Sequence, residues 1–169
     1  MPREFTTKWF AFNFKGHPNV RATHRTTLEI TREDYLTPRG DCIIGVSSEA
    51  ALADLPEWLK NLIREGSLTI LVLCAGDVCD SIVGWGDPRL ALDDPTRIIV
   101  RRSTHVDGKT LMIRASKSAR DLDRRLVALL SRGVEGRAYI TAIPADDSED
   151  LEQPPVIVAQ SRLIPPRDL

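Results

Sequence analysis

The chain has 169 residues, 42% of them apolar and 28% charged, with a net charge of −1. That is enough for one substantial core and too little for two ordinary domains, and the near-neutral balance exerts no global pull toward nucleic acid or an anionic membrane. No apolar run approaches the roughly 18 residues of a membrane span, and the N-terminal MPREFTTKW lacks the apolar core of a signal peptide, so a cytoplasmic location with no membrane partner is expected.

Phe10, Phe12 and Phe14 alternate with Ala11 and Asn13, the period of a strand with an aromatic face turned inward. His17 follows, between Gly16 and Pro18, in a turn where its side chain is expected to be solvated. The stretch HRTTLEIT reads as a second strand, with His24, Thr26, Leu28 and Ile30 on one face and Arg25, Thr27, Glu29 and Thr31 on the other. His24 therefore leans toward the core. A turn containing Asp34 and Gly40 leads into the strand DCIIGV. A helix follows, opened by Asp54, Pro56 and Glu57 in the manner of a capping box, lined by Leu55, Leu59, Leu62 and Ile63, and stopped by Gly66.

Residues 68 to 75 are apolar on both faces and belong in the middle of a sheet. Cys74 and Cys79 stand too far apart for a thioredoxin-type pair and have no second pair to complete a zinc site. They read as ordinary buried thiols, with a local disulfide as the alternative in a heat-adapted cell. A strand is predicted over residues 81 to 85, and another over RIIVRRST. A turn with His105, Asp107 and Gly108 leads to TLMI and then to a helix starting at Ser116, with Ala119, Leu122, Leu126 and Leu129 as its apolar stripe and Asp121 four residues from Arg125 on the wet face. Gly133 ends that helix before a last strand. From Pro144 onward the chain is acidic and carries prolines, with a short VIVAQ that suits an edge strand.

Two stretches follow one plan, GDCIIGV through Leu73 and GKTLMI through Ile143, each with a turn glycine, a strand, a helix ending in glycine, and a strand. With the strand before each, the repeat is ββαβ, over residues 22–75 and 96–143. The predicted fold is α+β: duplicated ββαβ units related by a pseudo-twofold axis, forming a mixed β-sheet or closed barrel with two main helices packed on it. Residues 1–143 form a single domain and 144–169 a C-terminal tail.

Charge is uneven along this plan: residues 1–84 carry −2, residues 85–143 carry +5 and the tail carries −4. The basic second unit suggests an anion-binding face or a place where the acidic tail folds back. Arg101, Arg102 and Ser103 precede a turn, and Lys117 lies beside Ser116 at the expected start of a helix, whose free N–H groups favour a phosphate. Salt bridges to the tail are the plainer use of these cations. No Gly-rich phosphate loop or dinucleotide fingerprint is present.

The other candidate chemistry lies between residues 16 and 46. A neutral His24 is suited to act as a general base or metal ligand, with Glu29 or Asp41 orienting it, whereas the structural alternative has it donating to a carbonyl under the sheet. Asp41 most simply starts a strand, and Cys42 is nucleophilic only with a base beside it. No HExxH or close histidine pair is present, so no metal or cofactor is named.

The strings GHPNVRATHRTTLEIT and RGDCIIGV, with IIVRRS and ASKSARDL further on, resemble the archaeal family known as domain of unknown function 371, over roughly residues 5 to 143. The resemblance implies an archaeal, cytoplasmic source, consistent with 18 Arg against 5 Lys and few Asn or Gln. The family has no activity to carry over onto residues, and this chain has Lys109 where an arginine is expected before TLMI. Three functions follow from these readings. The first is binding of a phosphate-containing small molecule, nucleotide or RNA by Arg101, Arg102, Ser103 and Lys117, with His17, His24, Thr27 and Glu29 contacting the rest. The second is hydrolysis by His24 with Glu29 and Asp41. The third is a non-catalytic role as a subunit of a protein assembly, with a homo-oligomer as one form of it.

Overall fold

A computed structural model describes residues 7–144. The tail beyond Pro144, with its VIVAQ segment, therefore lies outside the described residues. Among the described residues, eight strands form two four-stranded sheets. β1 (Phe10–Phe14), β8 (Gly136–Ile143), β4 (Leu68–Ala75) and β5 (Val78–Trp85) make a fully antiparallel sheet in that order. β3 (Ile43–Gly45), β2 (Thr27–Thr31), β6 (Arg97–Arg101) and β7 (Thr110–Met112) make the second. It is mixed: β2 and β6 run antiparallel in its centre, with β3 parallel to β2 and β7 parallel to β6. The class is α+β as predicted, with a mixed sheet; the two sheets do not close into a barrel.

The duplication extends one strand further than the ββαβ pattern. Non-glycine residues in the left-handed region recur at Ala22 and Leu92 and at Ser47 and Arg114, and Gly66 and Gly133 stop the two helices at φ +85° and +84°. These pairs relate β1 to the second half of β5 as well as β2 to β6. The two first strands are exchanged: β1 pairs with β8 of the second unit, and β5 pairs with β4 of the first. Each unit thus completes the other's sheet. At the pseudo-twofold axis the equivalent residues face each other, Glu29 opposite Ile99 in the mixed sheet and Val72 opposite Tyr139 in the antiparallel one. Gly40 corresponds to Asp107, not to Gly108: the carbonyls of both accept from the N–H that opens the next strand, Ile43 and Thr110.

The main core lies between the sheets. Leu71, Leu73, Ile82 and Ile140 face Leu28, Ile30, Ile98 and Val100 across it, with Phe12 and Phe14 at the β1 side. At about 1.5–3 kcal/mol for each fully buried large side chain, these positions dominate the stabilisation. The helices close the ends of this core. α1 (Glu57–Arg64) inserts Leu59 and Ile63, and α2 (Arg124–Ser131) inserts Leu126 and Leu130.

Both helix starts differ from the prediction. A 3-10 turn precedes each helix, Leu52–Asp54 and Ala119–Asp121. Asp54 accepts from the Ala51 N–H and Asp121 from the Ser118 N–H, each at 2.9 Å, so these carboxylates cap the turns and not the helices. α1 has Pro56 at its cap and α2 has Asp123, whose side chain accepts from the Arg125 N–H at 2.9 Å. Arg125 pairs with Asp123, and Asp121 pairs with Arg102. Ser116 caps nothing helical; its Oγ accepts from the Val83 N–H at 3.1 Å.

Cys74 and Cys79 are bridged, which overturns the thiol reading. Gly76, at φ +55°, opens a two-residue hairpin turn, and that turn sets Cys74 directly opposite Cys79 on β4 and β5.

Candidate functional site

The mixed sheet turns Leu28, Ile30, Ile98 and Val100 inward, so period two sends Thr27, Glu29, Thr31, Arg97, Ile99 and Arg101 to its other face. They stand in three cross-strand pairs: Thr27 with Arg101, Glu29 with Ile99, and Thr31 with Arg97. The centre of this array is the pseudo-twofold axis. Because the second unit has Ile99 where the first has Glu29, a single carboxylate occupies the axis, between two arginines.

Glu29 is only 5% exposed. Among the described residues no hydrogen-bond donor reaches its carboxyl, and its one ion pair, to Arg97 Nη1, spans 4.0 Å. Burial therefore pushes its pKa up, and Arg97 opposes that shift without cancelling it. Arg97 Nη2 also donates to Glu33 Oε1 at 3.2 Å, and the field of Glu29 followed by that hydrogen bond holds the guanidinium charge more firmly still. The Tyr35 hydroxyl and Arg97 together lower the pKa of Glu33. Arg101 is more constrained: its Nε donates to Thr110 Oγ1 at 2.9 Å and its Nη2 to Asp107 Oδ2 at 2.7 Å.

Cys42 borders this group, its carbonyl accepting from the Glu29 N–H at 2.8 Å. Burial, then the charges of Glu29 and Asp41, push its thiol up to about 11. The group stays protonated at neutral pH and is a poor nucleophile there.

The strand predicted from His24 begins only at Thr27. His24 is half-buried in the preceding turn, where its Nδ1 accepts from the N–H groups of Thr26 (3.2 Å) and Thr27 (3.1 Å). It therefore accepts from backbone instead of leaning into the core or donating to a carbonyl, and as a neutral imidazole it carries its proton on Nε2. His17, also half-buried rather than solvated, accepts from the Asn19 N–H at 3.0 Å.

The fold brings His24 and Asp41 side by side through backbone: the Asp41 carbonyl accepts from the Thr23 and His24 N–H groups. No hydrogen bond or ion pair joins the side chains of His24, Glu29 and Asp41 among the described residues, and no group of three His, Cys, Asp or Glu is placed there to hold a metal.

The cations expected to share one anion are dispersed. Arg102 is exposed and pairs with Asp121 at 3.3 Å, Lys117 pairs with Asp80, and only Arg101 belongs to the axial face. Lys117 precedes the 3-10 turn and is not in the first turn of α2. Ser103 lies in the exposed turn after β6, its Oγ accepting from the His105 N–H at 3.3 Å. Sequence reasoning missed Arg97 and Glu33. The alternation of Arg97, Ile99 and Arg101 was the available signal, since it places both arginines on one face.

Thr27, Glu29, Arg97 and Arg101 thus mark the polar face of a duplicated α+β protein with interlocked units. The chain belongs to the family described as domain of unknown function (DUF371), whose model matches residues 12–143. An archaeal relative, an uncharacterized protein of Methanocaldococcus jannaschii, is 44% identical over 126 residues, which are 75% of this chain and 93% of that protein. No helix among the described residues is long and apolar enough to cross a membrane.

Proposed function

We propose that this protein binds a phosphate-bearing small molecule or nucleotide on the outer face of the mixed sheet. The observation that supports this reading is the axial array itself, in which Arg97 and Arg101 flank Glu29 on one face. An arginine fork matches phosphate geometry, and the partly exposed hydroxyl of Thr27 adds a neutral partner. Glu29, with no donor on its carboxyl, suits a hydroxyl or amine elsewhere on the ligand. RNA is the less favoured ligand of this class, because the chain has only nine aromatic residues and no overall positive charge.

The test is a thermal-shift series with inorganic phosphate and nucleoside mono-, di- and triphosphates, repeated at low and high salt. A ligand at 100 times its Kd stabilises by about 2.7 kcal/mol. The reading requires a shift that weakens steeply with salt and disappears in Arg97→Ala. No shift with any phosphate compound would overturn it.

A second reading, hydrolysis, draws on the raised pKa of Glu29 and on the adjacency of His24 and Asp41. It requires a turnover that Glu29→Gln abolishes while the fold survives.

A further inference from the structure

The molecule carries a surface of arginines that its fold does not require. The turn before β2 packs on the 3-10 turn before α2: the Arg120 N–H donates to the His24 carbonyl and Arg124 Nη1 to the Ala22 carbonyl, each at 3.0 Å. The Arg102 N–H donates to the Thr26 carbonyl at 2.9 Å. These contacts gather Arg21, Arg25, Arg102, Arg120, Arg124 and Arg125 around one junction, and all six are exposed. Three aspartates accompany them. Asp121 pairs with Arg102, Asp123 pairs with Arg125, and Asp41 stands beside the turn, its carbonyl accepting from the Thr23 and His24 N–H groups. Among the described residues Arg21, Arg25, Arg120 and Arg124 have no ion pair. Six arginines against three aspartates leave a local charge of +3, in a chain whose net charge is −1.

The pseudo-twofold axis supplies the control. The same junction recurs in the other half, where the Ala53 N–H donates to the Asp94 carbonyl at 2.9 Å, the Arg32 N–H donates to the Thr96 carbonyl at 2.8 Å, and Arg32 pairs with Asp54. There the counterparts of Arg21, Arg25, Arg120, Arg124 and Arg125 are Ala91, Pro95, Ala53, Glu57 and Trp58; only Arg102 keeps an arginine, as Arg32. Lys60 and Arg64 also reach that junction, donating to the carbonyls of Ala53 and Ala91, but with Arg32 they are outnumbered by Asp54, Glu57, Asp93 and Asp94. The same backbone contacts thus close without five of the six arginines. Holding the turn does not explain them.

A cationic surface attracts acidic proteins, single-stranded nucleic acid and duplexes alike. Protein interfaces are anchored by aromatic and apolar groups at their centre, and single strands stack their bases on aromatic rings. Neither anchor is offered at this junction: the large apolar side chain exposed among the described residues is Tyr35, beyond the other end of β2. A duplex backbone needs only cations set to meet its phosphates.

We propose that this surface binds the phosphodiester backbone of a nucleic acid duplex without reading its sequence. Arg21, Arg25 and Arg120 contact phosphates directly, and Arg124 adds its charge while bracing the turn. None of these residues belongs to the axial face, so this proposal and the small-ligand reading stand or fall separately.

Fluorescence anisotropy on the full chain tests this, with labelled DNA and RNA duplexes of one sequence and about 20 base pairs. The logarithm of the binding constant should fall with the logarithm of salt concentration with a slope of about −3 to −4, as for three or four neutralised phosphates. Arg21→Glu with Arg120→Glu should weaken binding at least about tenfold and flatten that slope by about two. Arg25→Gln, a milder change at a side chain with no described hydrogen bond, should flatten it by about one. Arg32→Glu with Lys60→Glu makes the same charge change at the equivalent junction and should weaken binding less than about threefold. Unchanged thermal midpoints show that the variants are folded, and the tighter of the two duplexes names the source of the backbone. Four results would overturn the proposal: no binding of either duplex at about 50 mM salt, tighter binding of the matching single strand, tighter binding of poly-glutamate of equal charge, or equal losses in the two double variants.

Discussion

His24 and Asp94 occupy the same place in the two halves of the molecule. His24 Nδ1 accepts from the N–H groups of Thr26 and Thr27; Asp94 Oδ1 accepts from those of Thr96 and Arg97, at 2.9 and 2.7 Å. One turn earlier, His17 accepts from the Asn19 N–H as Asp87 does from the Arg89 N–H. Two of the three histidines therefore do the work that aspartates do in the second unit, closing turns by accepting from backbone two and three residues on.

That equivalence makes His24 replaceable by the residue its counterpart uses. His24→Asp is expected to keep the fold and its thermal midpoint nearly unchanged. His24→Ala, which leaves two N–H groups without an acceptor, should cost roughly 0.5–2 kcal/mol, the range for a lost cap. Chemical denaturation of the two variants side by side measures this.

Volume is traded between the halves in the same way. A Cβ on Gly45 would stand 2.2 Å from Phe14 Cδ2, whereas at the equivalent contact in the second unit Gly84 lies under Met112, its Cβ 2.7 Å from Sδ. Gly45→Ala should therefore cost about 1–3 kcal/mol through overpacking against a rigid ring. Gly84→Ala should cost less, because a methionine side chain gives way. Phe14→Leu should recover part of the loss in Gly45→Ala, and a double-mutant cycle reads out that coupling.

Glu29 sets a pH dependence. Its folded pKa is raised above the ordinary value by burial, so the folded state binds its proton more tightly than the unfolded chain does. Its contribution to stability is fully present below the unfolded pKa and is lost as pH rises through the folded one. Glu29→Gln should accordingly show a shallower fall in stability with rising pH over that window than the parent chain, and a higher thermal midpoint at neutral pH. An unchanged pH profile would show that the carboxyl is not desolvated.

The Cys74–Cys79 bridge closes a short hairpin. Cys74→Ser with Cys79→Ser is expected to lower stability by about 2 kcal/mol, the chain-entropy value for so small a loop. Phosphate-ligand binding at Arg97 should survive, because the bridge belongs to the antiparallel sheet and Arg97 to the mixed one. Denaturation with and without reductant, followed by the ligand thermal-shift series, separates the two effects.

Much of the construction is legible in residue order. The alternation of Phe10, Phe12 and Phe14, the two-sided apolar run in β4, the helical stripes and the stopping glycines Gly66 and Gly133 mark elements of the structure, because each depends on period and backbone preference over a few residues. The duplication was visible for the same reason, as was the concentration of positive charge in the second unit. The site was legible only in pieces. Glu29, Thr27 and Arg101 were singled out, but nothing local shows that β2 and β6 pair around the axis and bring Arg97 beside Glu29. Local spacing also misread His24, since a histidine that accepts from the N–H groups two and three residues on looks in sequence like the first residue of a strand.

Sequence by itself determined the short-range elements, the repeat and the chemistry available on each strand. Tertiary structure alone decided that β1 and β5 exchange between units, that Cys74 meets Cys79, that Arg102 and Lys117 are drawn off to Asp121 and Asp80, and that one buried carboxylate sits on the axis. The physical reason is that strand pairing, ion pairing and desolvation join groups tens of residues apart. Their free energy depends on register and burial, which exist only once the core has closed.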